Sequence, residues 1–156
     1  MARARLSLLL GAVCSWIVAA VHGATLVGGA PWYRFFGAPW LAARIERGEA
    51  VMPSLLTIGL GLMFLAWGLY ALSGAGVLRK LPRARTVLLI IGGLYTLRGL
   101  LLVVDLIAVA RGTSVPARAL FFSAFAAAAG LLHLAGAAPR PPARPLPRGR
   151  RRSRRA

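Results

Sequence analysis

Few side chains in this sequence could carry out chemistry, and most of them fall inside long apolar stretches. Five of them form a candidate polar site: His22, Tyr95, Arg98, Asp105 and His133. Ionisable side chains within a membrane span are rare and face a partner or a cavity, so each one is a functional-site hypothesis.

The strongest pairing within this set joins Arg98 to Asp105. The two residues are seven positions apart, which puts them on one helix face about 10 Å apart along the axis. We expect a structural ion pair, made directly or through water, with Tyr95 offering its ring or hydroxyl on the other side of Arg98. The functional alternative is an anion or proton site completed by His22, which could hydrogen-bond Asp105.

The two histidines are too far apart in depth to share a ligand. At about 1.5 Å per residue, His22 lies about 24 Å and His133 about 8 Å from the same membrane edge. Metal–nitrogen bonds are about 2 Å, so one metal or haem between them is excluded. Each histidine is instead expected to make one interhelical hydrogen bond. With a single cysteine and three acids, we predict no metal site, no bound cofactor and no catalytic residue.

The elements that position these residues are predicted to be membrane spans. Of 156 residues, 58% are hydrophobic and 15% are charged, whereas soluble domains carry about 25% charged residues. Four stretches, at about 6–27, 53–73, 86–108 and 119–138, reach the roughly 20 residues needed to cross a bilayer. Small and polar residues recur along them at helical spacing, for example at Gly11, Ser15 and Ala19. We therefore predict an all-α transmembrane four-helix bundle over residues 1–138.

The segment between the first two spans is predicted to lie at the membrane interface. Its expected anchors are amphipathic aromatic rings and one arginine free to reach phosphates: Trp32, Tyr33, Arg34, Phe35, Phe36 and Trp40. A short amphipathic helix should run from Pro39 through Glu46, with Trp40, Leu41 and Ile45 toward lipid. This segment is either a structural lid or the mouth of a site for a lipid or quinone-like ligand.

Basic residues set the expected orientation. Of the 19 lysines and arginines outside the spans, 14 fall at the amino end, in the second loop or in the tail. Such residues stay on the cytoplasmic side, so both termini are predicted to be cytoplasmic. The first apolar run is longer than a signal-peptide core and three spans follow it, which favours a retained helix over a cleaved signal. Arginine-rich, alanine-rich composition is typical of GC-rich bacteria and indicates the bacterial inner membrane.

The tail, residues 139–156, contains five prolines and eight arginines. This composition predicts a disordered segment that contacts anionic lipid headgroups. No folded recognition module accompanies the tail, so we expect no specific nucleic acid partner. A homo-oligomer or another membrane protein is a possible partner of the spans.

Three stretches carry a family resemblance: PWYRFFGAPW, WGLYALSGAGVLRKLP and YTLRGLLLV. With them, most of residues 22–104 resembles a group of small uncharacterised bacterial membrane proteins with four spans. In span number and size the chain is also similar to DoxX-like membrane proteins, which would imply a link to quinone or thiol oxidation. Neither resemblance supplies a substrate or a catalytic residue.

Two functions follow as hypotheses. The first is a non-enzymatic structural or partner-binding membrane component. The second is a small permease, or a redox accessory that binds quinone or lipid through its polar interior. The discriminating observation is whether quinone or flavin accompanies the purified protein.

Overall fold

The computed structural model describes residues 2–138, and within this range every regular element is an α-helix. The helices are α1 (Ala2–Phe35), α2 (Pro39–Glu46), α3 (Val51–Gly74), α4 (Ala84–Gly99), α5 (Leu101–Ala110) and α6 (Ala117–Ala137). Four segments are long and apolar enough to cross a membrane: α1, α3, α4 together with α5, and α6. The predicted all-α fold with four spans is confirmed. The predictions for the tail concern residues 139–156, outside the described range.

Helix α1 runs beyond the predicted first span and is interrupted near its end. Gly29 has φ 62° and ψ −156°, a conformation that glycine adopts without the steric cost that a Cβ would bring. Pro31 follows two residues later, and proline lacks the amide hydrogen that a continuous helix needs. The chain therefore bends at Gly29, and the last turns of α1 belong to the predicted interfacial segment.

The third span is divided at Leu100 without being broken. Leu100 keeps right-handed helical angles, and its amide donates to the carbonyls of both Thr96 and Leu97. The amide of Val103 in turn bonds the carbonyl of Leu100, three residues back. This tightened turn joins α4 to α5, so the two helices form one span from Ala84 to Ala110.

The four spans pack side by side in a ring. Helix α1 packs against α3 and α6, and α4 packs against the same two helices. Helix α5, by contrast, contacts α4 and α6 but not α3, and none of its residues is buried. The third span is therefore closed against the fourth along its length, but against the second only in its first part.

Small residues occupy many of the buried helix contacts in the interior of the ring, as the helical spacing predicts. Gly11, Ser15 and Ala19 of α1 are buried, as are Ser123 and Gly130 of α6. Small side chains let membrane helices approach closely enough for backbone contact.

The two ends of the ring differ in composition. One end, called the basic end, contains the start of α1 and the 75–83 loop between α3 and α4. The opposite end, called the lid end, is covered by residues 30–46, which comprise the last turns of α1, a short connection and α2. This segment is called the lid. There Leu41 and Ala42 of α2 pack against Ala30 and Tyr33.

The contacts of the lid correct one prediction about α2. The helix has the predicted bounds and Trp40 is exposed, but Leu41 is buried and Ile45 packs against the same cluster instead of facing lipid. The apolar face of so short a helix gains more contact against the protein than at the membrane interface, because Ala30 and Tyr33 are already positioned there by the bend at Gly29.

Candidate functional site

A cavity of about 320 Å³ lies inside the lid end of the bundle. Helices α1, α3, α4 and α6 form its walls. Phe36, Ala38 and Leu41 of the lid cover it. Its volume is at the lower end of the range of small-molecule sites, which is about 300 to 1,000 Å³.

The cavity reaches the outer surface of the bundle between α1 and α6. Two of its lining residues, Ile17 of α1 and Phe121 of α6, are 48% and 64% exposed. Both side chains are apolar, and Ile17 lies near the middle of α1, well inside the stretch that would cross a membrane. The opening therefore faces the hydrocarbon region rather than water, provided that these helices span a bilayer.

Most polar groups lining the cavity are already bonded to the protein. The Tyr33 hydroxyl donates to Thr57 Oγ1 over 2.7 Å, and the Thr57 hydroxyl donates to the carbonyl of Pro53 over 2.8 Å. Thr25 donates to the carbonyl of Val21 over 2.7 Å. Each of these hydroxyl groups already donates its hydrogen to another group of the protein. Arg98 and His22 are therefore the lining side chains that remain to recognise a polar ligand.

Arg98 is an exposed residue that lines the cavity and is connected to Asp105 through a third residue. Its Nη1 donates to Ser123 Oγ over 3.3 Å, and the Ser123 hydroxyl donates to Asp105 Oδ2 over 3.0 Å. Among residues 2–138 the ion pairs involve only the two glutamates, so Arg98 and Asp105 are not in direct contact. The predicted pair is therefore bridged by a hydroxyl on the neighbouring span.

Ser123 is the residue that sequence reasoning missed. Its spacing places it in a stripe of small residues on α6, together with Ala126 and Gly130, which predicts only a packing role. The available signal was its polarity within that stripe, since a hydroxyl at an interhelical position can serve two partners at once. Its depth relative to Arg98 could not be read from the sequence because it depends on how far the helices slide past each other.

His22 is placed at the cavity but does not meet Asp105. Its Nδ1 lies 2.8 Å from the carbonyl of Val18, and its ring packs against Phe64 with centroids 5.2 Å apart. The alternative arrangement, with a His22–Asp105 hydrogen bond, is not formed among the described residues, where Asp105 accepts from Ser123.

Tyr95 and His133 form a second polar group, away from Arg98. The Tyr95 hydroxyl donates to Ser15 Oγ over 3.3 Å, and its ring stacks on that of His133 at 5.6 Å. His133 is completely buried, and its Nδ1 lies 2.8 Å from the carbonyl of Ala129. The expectation that Tyr95 supports Arg98 is therefore wrong, and the five predicted residues divide between two places.

Both histidines correct the prediction of interhelical hydrogen bonds. In each case the bonded carbonyl belongs to the same helix, four residues earlier: Val18 for His22 and Ala129 for His133. A side chain on a helix lies over the preceding turn, so this carbonyl is the nearest acceptor and needs no neighbouring helix.

The predicted interfacial anchors also divide into two groups. Trp32, Phe35 and Trp40 are exposed, as an interfacial role requires. Tyr33 is only 3% exposed and Phe36 packs on Phe122 with ring centroids 5.7 Å apart, so both face the protein.

Arg34 forms an ion pair with Glu46 of the lid through Nη2, and half of its side chain is exposed, so its remaining N–H groups can still reach lipid phosphates. The bend at Gly29 is the cause of these differences, since it folds the end of α1 over the bundle. Within residues 2–138, no three His, Cys, Asp or Glu side chains lie close enough together to hold a metal ion.

No protein-family model matches the chain, and no curated protein or solved structure shows significant similarity to it. The residues that line the cavity and their geometry are therefore the basis for assigning a function.

Proposed function

We propose that this chain is a non-enzymatic, multi-pass membrane protein that binds a lipophilic carbonyl compound of the quinone class in the lid-end cavity. The observation that carries the proposal is one cation, Arg98, lining an otherwise largely apolar cavity that opens between α1 and α6. An opening at that depth admits molecules dissolved in the bilayer, which is where lipophilic quinones are found.

The charge balance favours a neutral ligand over an acidic lipid. Arg98 is connected through Ser123 to Asp105, so the group as a whole has one positive and one negative charge. An anionic headgroup would add a second negative charge in a region of low dielectric constant, where an uncompensated charge is expensive. A carbonyl oxygen accepts a hydrogen bond from the guanidinium and adds no charge.

The aromatic lining of the cavity suits a flat ring. Phe36, Phe122 and Phe125 line it, and Phe36 already packs on Phe122 at a centroid distance of 5.7 Å. Aromatic rings pack well in offset or tilted arrangements, so a quinone ring can be held by contact with these side chains.

His22 adds a group that could distinguish the reduced form of such a ligand. The Val18 carbonyl can only accept, so its contact with Nδ1 assigns the ring hydrogen to that nitrogen. In the neutral ring Nε2 is then an acceptor, which suits the hydroxyl of a quinol. Arg98 would recognise a carbonyl oxygen and His22 a hydroxyl hydrogen.

The test uses full-length protein purified in a mild detergent. Organic extraction followed by chromatography identifies any co-purified quinone, and isothermal titration with a short-chain benzoquinone measures affinity directly. Arg98→Leu should weaken binding about ten- to a hundredfold, because a hydrogen bond from a charged donor is worth about 1.5 to 3 kcal/mol. Arg111→Leu, in the connection between α5 and α6, is the matched control and should bind as the wild type does.

Three results would contradict the proposal. Tighter binding of a fatty acid anion than of the benzoquinone would show that the charge argument is wrong. Equal affinities of the wild type and a folded Arg98→Leu variant would place the ligand elsewhere. Complete absence of quinone binding would favour the other hypothesis, a structural or partner-binding component. Thermal unfolding of Arg98→Leu and of Arg98→Gln, which keeps a neutral donor, shows whether the fold survives.

We further propose that the protein resides in a bacterial inner membrane with both termini in the cytoplasm. Arg3, Arg5 and the basic residues of the 75–83 loop share the basic end, and retention of such residues on the cytoplasmic side supports this orientation. Alkaline phosphatase fused after Arg47 should be active, and the same enzyme fused after Pro82 should be inactive. The reverse pattern would overturn the topology.

A further inference from the structure

A second pocket lies at the basic end, on the opposite side of the bundle from the candidate quinone site. It has a volume of about 480 Å³, and all four spans contribute to it. Its apolar part includes Leu8 of α1 and Leu88 of α4, which are almost fully buried. Lys80 and Arg85 are its cationic residues.

The pocket is held in shape by hydrogen bonds from the loop that forms one side of it. Ser73 Oγ donates to the carbonyl of Arg79 over 3.0 Å and accepts from the amide of Leu81 over 2.8 Å. These two bonds fix the backbone on both sides of Lys80. Arg85 is fixed separately, because its Nε donates to the carbonyl of Ala137 at the end of α6 over 3.2 Å.

The fixed arginine still has donors to offer. Nε is only one of the guanidinium nitrogens, and within residues 2–138 the terminal nitrogens of Arg85 have no protein acceptor. A positioned guanidinium with free terminal N–H groups is suited to bind two oxygens of one anion.

No acidic side chain is available at this end to balance the charge. The sequence contains three acids: Glu46 and Glu49 pair with arginines at the lid end, and Asp105 accepts from Ser123. Within residues 2–138, six cations lie at the basic end: Arg3, Arg5, Arg79, Lys80, Arg83 and Arg85. Because no acidic side chain of the protein balances these cations, their counterions must be bound from the surroundings.

We infer that this pocket binds a phosphate group, with Arg85 and Lys80 as its ligands. The apolar residues beside the two cations suit a phosphate attached to a glycerol and acyl chain, so an anionic phospholipid is the expected source. Basic pockets between membrane helices are known to bind such headgroups. Inorganic phosphate has the same chemistry and is the other source that the experiment distinguishes.

The experiment titrates full-length, detergent-purified protein with dioctanoyl phosphatidylglycerol and counts bound lipid by native mass spectrometry. The variant Lys80→Gln/Arg85→Gln is compared with Arg3→Gln/Arg5→Gln. The second pair removes the same charge from the same end of the bundle but does not line the pocket. The first should lose about tenfold or more in affinity, whereas the second should lose less than about threefold.

Equal losses in the two double variants would overturn the proposal, because they would show diffuse attraction rather than a site. The single variant Lys80→Gln is the control for misfolding, because the Lys80 side chain makes no hydrogen bond in the described residues. This variant should fold normally and still bind the lipid more weakly than the wild type. Displacement of the lipid by millimolar inorganic phosphate, but not by equal ionic strength of chloride, would support a phosphate site open to the soluble ion. Binding of dioctanoyl phosphatidylcholine as tight as that of phosphatidylglycerol would contradict the role of the cations. The test is independent of the quinone proposal, which concerns the other end.

Discussion

The two halves of the contact between the third and fourth spans are built differently. Toward the basic end, α4 and α6 touch through their backbones: a Cβ added at Gly130 would lie 2.6 Å from the amide nitrogen of Thr96. A Cβ added at Gly99 would lie 2.5 Å from backbone atoms of Ala127. Toward the lid end, α5 and α6 are connected through side chains instead, with Ser123 donating to Asp105.

This difference determines what the intramembrane polar residues can do. In the closely packed half, Tyr95 and His133 are buried against each other and against neighbouring helices, where no ligand can reach them. Arg98 belongs to the last turn of α4, beside Gly99, but its side chain extends into the wider half, where it donates to Ser123 and lines a cavity. Polar residues of similar type on the same two spans are therefore structural where the backbones touch and available to a ligand where they separate.

The largest expected effect comes from preventing the close backbone contact. Gly130→Val should destabilise the protein by about 3 kcal/mol, the upper part of the range for overpacking, because the added atoms meet backbone that cannot rotate away. Gly93→Val is the matched control, since a Cβ at Gly93 meets nothing within 4 Å. Thermal unfolding in detergent compares the two. Similar stability of the two variants would mean that the helices are not in backbone contact.

The closely packed half is also the half that the sequence predicts well. Spacings of three and four residues between small side chains identify the buried faces of α1 and α6, and the buried positions Gly11, Ser15 and Gly130 confirm them. The reason is physical: only small residues permit close approach, so their periodicity directly reflects helix contact.

The lid end could be predicted only in part. The start of α2 follows from Pro39, which suits the first turn of a helix. The burial of Tyr33 could not be predicted, because it depends on the direction that the chain takes after Gly29. The backbone angle φ at a glycine is not determined by the neighbouring residues. Ser123 as the bridge to Asp105 could not be predicted either, since it depends on the relative height of two helices.

A second prediction asks whether Arg98 needs Asp105. Asp105→Ala should cost about 2 kcal/mol, because it removes the negative charge that balances Arg98 within the span. Arg98→Leu/Asp105→Leu should be less destabilising than Asp105→Ala alone, since it removes both charges and leaves neither unbalanced. Thermal unfolding of the three proteins gives the order. Wild-type stability of Asp105→Ala would show that solvent or lipid headgroups already balance Arg98.

The smallest expected effect isolates the hydroxyl bridge. Ser123→Ala removes one bond from Arg98 and one to Asp105 but leaves both charges in place. Side-chain hydrogen bonds between membrane helices average about 0.6 kcal/mol each, so the loss of two should cost about 1 kcal/mol. Ser7→Ala is the control, because the Ser7 hydroxyl bonds only the carbonyl of Arg3 in its own helix.

A double-mutant cycle then tests whether the bridge acts through Asp105. In the Asp105→Ala background the Ser123 hydroxyl has lost its acceptor, so Ser123→Ala should have a smaller effect there than in the wild type. The coupling is measured as the difference between the two changes in unfolding free energy. If the two changes in unfolding free energy are strictly additive, Ser123 contributes to packing alone. The lid-end half of the contact between the third and fourth spans would then be stabilised by packing, as the half toward the basic end is.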